Sequence, residues 1–298
     1  MNKDYSPHMI GFMLAVFGTA LFSLKSIFIK FLYAEGLNTD SVITLRMAIS
    51  LPIYLGIFIW LQKRSDDRSY RSFLPMIAFL GFIGYFLSSW LDLKGLEMIS
   101  AQLERLTLFT YPIMVAILGA IFFKTPLSRA VIWSLLMTYS GLMLVFVEEL
   151  NFSGEDTVFG TLMVFLAALS FSFYVLFGKQ VISKIGSQMF TSLAMSISSV
   201  FVLLYFGLFH DFSQLDVTLK AWFWLVMLAV FSTVVPSYMI AEAIHKIGPA
   251  QTGIIGSLGP VMTMGMAVWL LHEPFTPYHL AGLLLVVFGV GILTKAKP

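Results

Sequence analysis

Six ionisable side chains stand inside long apolar stretches of this sequence: Lys25, Arg46, Asp92, Glu104, Arg105 and Glu242. A charge in hydrocarbon is costly, so such a residue faces a partner, a cavity or the interface. A helical rise of ~1.5 Å per residue puts Lys25, Arg46, Glu104 and Arg105 at similar depth on three separate segments. Asp92 falls nearer that same surface and Glu242 nearer the other. Three cations around the buried carboxylate of Glu104 favour an anionic or zwitterionic ligand, and Glu104 is the natural candidate for proton coupling. Two plainer readings stay open. Lys25 and Arg46 can snorkel to the interface, and Arg105 can pair structurally with an acid. Glu104 and Arg105 are adjacent and point about 100° apart on a helix, so they need not pair with each other.

Neutral side chains complete the candidate substrate site: Trp90, Tyr111, Tyr174, Tyr238 and Gln251, with Trp269 a further aromatic. Aromatic residues make up 15% of the chain, so core packing is the default for each of them. Gly253, Gly256 and Gly259 follow Thr252 at three-residue spacing, a smooth stripe for close helix approach or a widened cavity. Pro112 and Pro260 are the candidate hinges, because proline removes a backbone donor. The histidines fall at segment ends without a ligand-like pair, and His272-Glu273 runs into Pro274. There is no cysteine and no glycine-rich phosphate loop. No metal and no cofactor are expected. Paired catalytic residues at matching depth are also missing, which argues against an intramembrane enzyme.

The elements that carry these residues are membrane spans. The chain is 58% hydrophobic and 11% charged, with mean hydropathy +0.89. A soluble surface needs about a quarter charged residues. Apolar segments fall at 9–33, 40–61, 73–93, 97–123, 129–147, 158–179, 187–209, 219–244, 250–271 and 276–294. Each is long enough to cross a ~30 Å core. Alternate loops collect the cations, with Lys63, Arg64, Arg68, Arg71, Lys124, Arg129, Lys179, Lys184 and Lys246 on one side. By the positive-inside rule both termini are cytoplasmic, which needs an even number of spans and favours ten. The first segment is read as a retained helix, because its apolar run continues well past the length of a cleavable signal.

Residues about 149 positions apart resemble each other. Phe22-Ser23 faces Phe171-Ser172, Lys30 faces Lys179, and ISAQL from Ile99 faces GPAQT from Gly248. After a one-residue shift Pro112 aligns with Pro260, Pro126 with Pro274 and Gly141 with Gly289. Five helices per half turn the second copy over, giving an inverted repeat with units 1–149 and 150–298.

The ends of both halves resemble the EamA family of the drug/metabolite transporter superfamily, most clearly through IGPAQ, Pro260 and the HEPFTP turn before the last helix. Where that family tends to carry Trp-Gly in its first helix, this chain reads Phe22-Ser23-Leu24-Lys25. The resemblance implies an all-α, ten-helix carrier of a bacterial-type inner membrane, commonly an exporter. The expected function is secondary transport of amino-acid-like or other anionic or zwitterionic metabolites by alternating access. Export of lipophilic cations is the alternative, and a channel or scaffold subunit the reading from another class. The expected partners are a small-molecule substrate and the bilayer, with no nucleic acid, and the chain acts as a monomer or homodimer.

Overall fold

The computed structural model describes residues 7–64, 68–124 and 129–295. All regular structure among them is helical. In chain order the helices are α1 (Pro7–Ser23), α2 (Lys25–Ala34), α3 (Thr39–Arg64), α4 (Tyr70–Gly81), α5 (Ser88–Leu96), α6 (Ala101–Leu108) and α7 (Tyr111–Phe123). They continue as α8 (Arg129–Ser153), α9 (Asp156–Ile185), α10 (Ser187–Phe209), α11 (Leu219–Val226), α12 (Val235–Gly256), α13 (Gly259–Leu270) and α14 (Pro277–Lys295). Eight stretches are long and apolar enough to cross a membrane, and two shorter apolar helices, Gly259–Leu270 and Pro277–Ile292, follow them. The outside of the bundle is apolar, with Phe17, Trp133, Phe159, Leu204 and Phe288 exposed. Such a surface is suited to lipid.

Several expected spans are interrupted, each for a local reason. The first breaks at Leu24, where the Ser23 hydroxyl donates to the carbonyls of Thr19 (2.8 Å) and Gly259 (3.1 Å). A serine hydroxyl competing for backbone carbonyls bends or ends a helix. The fourth breaks at Phe109–Thr110, where the Thr110 hydroxyl donates back to the Thr107 carbonyl at 2.7 Å. Pro112 and Pro260 each sit in the first turn of the helix after a break, where a missing N–H costs nothing.

Two π-helical segments, Phe82–Leu87 and Met227–Val234, join α4 to α5 and α11 to α12. Residues 245–249, expected as a connection, are helical in their backbone. The chain nevertheless reverses beyond them. A Cβ on Gly11 would meet Ile247, one on Gly18 would meet Ile240, and one on Gly259 would meet Thr19 and Ser23. The interruptions recur in register between the halves: the π segments, the breaks before Pro112 and Pro260, and left-handed Lys124 (φ 54) and His272 (φ 55).

The most extensive contacts pair α8 with α14, α1 with α12, α3 with α10 and α5 with α9. Glycine makes the closest of them. A Cβ on Gly95 would lie 2.5 Å from Val164, and one on Gly282 would lie 2.6 Å from the carbonyl oxygen of Gly141.

The two ends of the bundle differ. At the acidic end Glu35 pairs with Lys220 at 2.6 Å, and the Ser41 hydroxyl donates to the Gln214 carbonyl at 3.0 Å. Glu97 accepts from the Thr39 N–H at 2.7 Å and pairs with Lys94 at 2.6 Å. Burial pushes the Glu97 carboxyl up, but Lys94 and the groups of Thr39 together hold it below its ordinary value of 4.5. A depressed carboxylate contributes stability that is present above the unfolded value and lost as pH falls through the folded one. The thermal midpoint is therefore expected to fall on acidification below about 4.5, and Glu97→Gln to flatten the curve there. An unchanged pH profile in that variant would remove Glu97 from this role.

Candidate functional site

The break at Leu24 turns Lys25 and Ser26 into the first turn of α2, and both reach carboxylates. The Lys25 ammonium lies 2.5 Å from Asp92 Oδ2 on α5. The Ser26 hydroxyl donates to Glu104 Oε2 on α6 at 2.6 Å. Asp92 and Glu104 are buried, and their other oxygens, Oδ1 and Oε1, have no hydrogen-bond partner among the described residues. A helix N-terminus suits anions through its unpaired N–H groups and its dipole. Arg105 turns away from Glu104: its Nε donates to the Thr263 hydroxyl at 3.0 Å and its Nη2 to the Phe22 carbonyl at 2.6 Å. That ties α6 to both α1 and α13.

Arg46 on α3 is 3% exposed, and its Nε and Nη2 make no hydrogen bond among the described residues. Its electrostatic neighbours are Asp92, Tyr54 and Tyr33. A buried charged donor without an acceptor is an expensive feature to keep. Arg46, Ser50 and Tyr54 follow at four-residue steps, so they share one face of α3. Ser50 is likewise buried with an unsatisfied hydroxyl.

Beyond Arg46 lies a cluster of tyrosines from both halves. The Tyr54 and Tyr238 ring centroids are 5.9 Å apart, and those of Tyr85 and Tyr174 are 4.9 Å apart. Tyr111 reaches the cluster through Phe171 at 5.2 Å, and Phe171 stacks on Tyr174 at 5.5 Å. Arg105 is a charged neighbour of Tyr111. Tyr85 sits in the first π-helical segment, and such insertions are frequent at functional sites. Gly84 beside it leaves room for the Tyr174 ring, which a Cβ there would meet at 2.4 Å. Gly84→Val is therefore expected to displace Tyr174 and to perturb substrate flux. Quenching of a nearby tryptophan reporter by the rings would also change, and an unaltered reporter would show that the ring had not moved.

At the basic end a cavity of about 470 Å³ opens between the halves, lined by Leu61, Tyr70, Gly186, Gln188, Ala241 and Glu242 among others. The Gln188 carbonyl accepts from Ser192, whose hydroxyl meets the Tyr238 hydroxyl at 2.6 Å. At the acidic end Lys25 of α2 pairs with Asp92 of α5, and Trp90 Nε1 donates to Asp40 Oδ1 of α3 at 2.8 Å.

The sequence profile of the EamA-like transporter family matches residues 9–147 and again residues 158–295. The chain belongs to this family. Among curated relatives, the uncharacterized transporter YcbK of Bacillus subtilis is 25% identical over 267 residues, covering 88% of this chain and 86% of its own. The uncharacterized transporter YyaM of the same organism is 23% identical over 292 residues, covering 95% and 90%. An uncharacterized transporter of Archaeoglobus fulgidus is 25% identical over 261 residues, covering 88% and 90%. One solved crystal structure superimposes with a TM-score of 0.66 at 14% identity, covering 95% of this chain and 96% of that one. The chain is thus a membrane transporter and not an enzyme.

Within this EamA fold the expected residues separate into groups. Lys25 and Glu104 meet around Ser26, while Arg46 and Arg105 flank the tyrosine cluster. Lys25 does not snorkel: its side chain is 16% exposed and turned to Asp92. Asp92, expected nearer the surface, belongs to this network because α5 runs to Leu96 and sets it a turn inside the helix end. Tyr111, Tyr174 and Tyr238 join the cluster, and Trp90 belongs to the acidic end. Trp269 is 75% exposed and lines no internal space. Glu242 pairs with Lys246 at 3.2 Å and borders the cavity. The side chains of Gln251, Gly253 and Ile254 lie outside the described residues. Sequence reasoning missed Tyr54 and Tyr85. The four-residue step from Arg46 through Ser50 to Tyr54 could have found the first, and nothing in the sequence marks the π segment that presents the second.

Proposed function

We propose that this protein is a secondary transporter that moves small anionic or zwitterionic metabolites by alternating access. One observation carries the reading. A cavity opens between the halves at the basic end, and Gln188 on its wall bonds Ser192, which meets Tyr238 of the shared tyrosine cluster, while ion pairs and hydrogen bonds tie the helices together at the acidic end. Alternating access requires such an asymmetry, inverted in a second state. Lys25, Arg46 and Arg105 outnumber Asp92 and Glu104, so the group is net positive with or without a proton on Glu104, which favours an anion. In this reading Lys25, Arg46, Trp90, Glu104, Arg105, Tyr111, Tyr174, Tyr238 and Gln251 belong to the site, and Glu104 couples a proton. The tyrosine faces favour a second reading, export of organic cations, through cation–π attraction.

The architecture in this proposal is ten crossings in two units, 1–149 and 150–298, inserted in opposite orientations. The recurring π segments, helix breaks and left-handed residues support the duplication. The lysine and arginine distribution supports an inner-membrane protein with cytoplasmic termini, acting as monomer or homodimer. The breaks before Pro112 and Pro260 serve as hinges. The chain has no cysteine, so single cysteines report topology directly. A thiol reagent that cannot cross the membrane is expected to label Ser213→Cys in intact cells and Ser69→Cys only after permeabilisation. The reverse pattern would overturn the orientation.

The function itself is tested by comparing metabolites in the medium of cells overproducing the protein or its Glu104→Gln variant. A compound that accumulates with the wild type alone, with saturable and gradient-dependent efflux, is the expected result. Unsaturable conductance would replace the carrier with a channel.

A further inference from the structure

The helix that carries Glu104 and Arg105 is held at its start by the other half of the chain. Ala101 and Gln102, where α6 begins, are buried, and the first N–H groups of a helix have no partner within it. Here each has an acceptor. The N-cap Ser100 accepts from the Leu103 N–H through its hydroxyl at 3.0 Å and from the Glu104 N–H through its carbonyl at 3.0 Å. The other two turn to Glu273, 172 positions beyond Ala101, in the connection between α13 and α14. Its Oε1 accepts from the Ala101 N–H at 2.8 Å and its Oε2 from the Gln102 N–H at 3.3 Å. A bond in the opposite direction joins the same connection, since Gln102 Nε2 donates to the Pro274 carbonyl at 3.0 Å. Beside them Glu149 accepts from the Ser100 N–H at 3.3 Å and from its hydroxyl, and Lys30 donates to the Ile99 carbonyl at 2.6 Å. A carboxylate is favoured at a helix N-terminus, and charge-assisted hydrogen bonds are roughly twice as strong as neutral ones.

The connection is shaped to deliver that carboxylate: His272 takes φ 55, and the Glu273 N–H returns to the Ala267 carbonyl at 3.2 Å. In the first half Lys124 takes φ 54, but Thr125 then stands where Glu273 does, and Pro249 stands where Ser100 does. Threonine has no carboxylate, and proline offers neither an N–H nor a hydroxyl. We infer that Glu273 is a positioning residue: it fastens α6 of the first half to the second half, holds Glu104 and Arg105 in place, and weights the two ends of the bundle unequally. When Glu273 lets go, the two N–H groups must turn to water, so release goes with entry of water at the acidic end. Within the alternating-access reading, on which this step rests, Glu273 favours the state whose helices are tied together at that end. The fastening itself does not depend on that reading.

The test is hydrogen–deuterium exchange of the whole protein in lipid nanodiscs, which needs no substrate. Glu273→Gln keeps the shape but leaves one acceptor oxygen where there were two, and its amide opposes an N–H. The amides of residues 100–103 are expected to exchange about tenfold faster, and those of residues 186–189, which border the cavity, more slowly. A merely structural role would speed exchange at both places. If Glu273→Gln does not fold, Gln102→Leu carries the test in the same direction, because it removes only the bond to Pro274. A short bifunctional thiol reagent joining Leu61→Cys to Ser187→Cys, which border the cavity from α3 and α10, tests the transport reading separately. That bridge is expected to speed exchange at residues 100–103. Unchanged exchange there in Glu273→Gln would overturn the fastening, and exchange at residues 186–189 that fails to slow would overturn the unequal weighting. A bridge without effect on residues 100–103, where Glu273→Gln does act, would instead remove alternating access and leave the fastening standing.

Discussion

Replacing Arg46 with methionine is expected to abolish transport while leaving the thermal midpoint unchanged or higher. The guanidinium is buried, and two of its nitrogens have no acceptor among the described residues. Replacing buried charge with apolar side chains of similar volume is often neutral or stabilising by about 1–4 kcal/mol. A side chain kept for structure would behave in the opposite way, and its loss would lower the midpoint. Loss of one partner of a buried charged contact costs about 2–5 kcal/mol, at least thirtyfold or so in substrate affinity. Arg46→Lys should retain partial activity, since it keeps the charge but loses the planar fork. A combined fall in midpoint and flux in Arg46→Met would make Arg46 a structural residue.

The second large effect lies where α8 meets α14. A Cβ on Gly282 would stand 2.5 Å from Val145 Cγ2 and 2.6 Å from the Gly141 oxygen, and a Cβ on Gly141 would stand 2.6 Å from the Gly282 oxygen. Backbone cannot step aside as a flexible side chain can, so Gly282→Val must force the helices apart. Overpacking costs about 1–3 kcal/mol and occasionally more, and the backbone contacts put this case at the upper end. The variant is expected to lose its monodisperse peak in size-exclusion chromatography and to melt well below the wild type. Gly56, with nothing within 4 Å of an added Cβ, is the control. There alanine should be neutral or stabilising by about 0.5–1 kcal/mol through its higher helix propensity. A wild-type melting curve for Gly282→Val would mean that α8 and α14 pack less tightly than described.

Much of this was legible in the sequence because hydrocarbon imposes a simple code. Long apolar runs gave the spans, and isolated charges within them marked Lys25, Arg46, Glu104 and Arg105. Matched prolines located the helix breaks, since a proline at the first turn is a local signal that needs no tertiary context. Depth counted along one helix could place Asp92 near its end but could not show the lysine that reaches it from another helix. The break at Leu24 is driven by Ser23, whose two acceptors, Thr19 and Gly259, lie one on its own helix and one 236 positions away. Only the first is a local relation. Tyr54 and Tyr85 were hidden among many aromatic residues, most of which face lipid or each other. Trp269 shows the converse, because its type suggested a pocket and its helix face points outward.

The two π-helical segments have a mechanical consequence. A π turn holds a residue more than an α turn, so it acts as a movable surplus within the helix. If the surplus at Phe82–Leu87 advances along the chain, the residues it passes swivel by about 100°, while those beyond keep their places. Trp90 and Asp92 lie directly in that path, and Tyr238 lies just past the corresponding surplus at Met227–Val234. Such a shift breaks no more than a few backbone hydrogen bonds at a time. Such an advance in the first half would turn Trp90 and Asp92 without tilting a whole helix through the membrane.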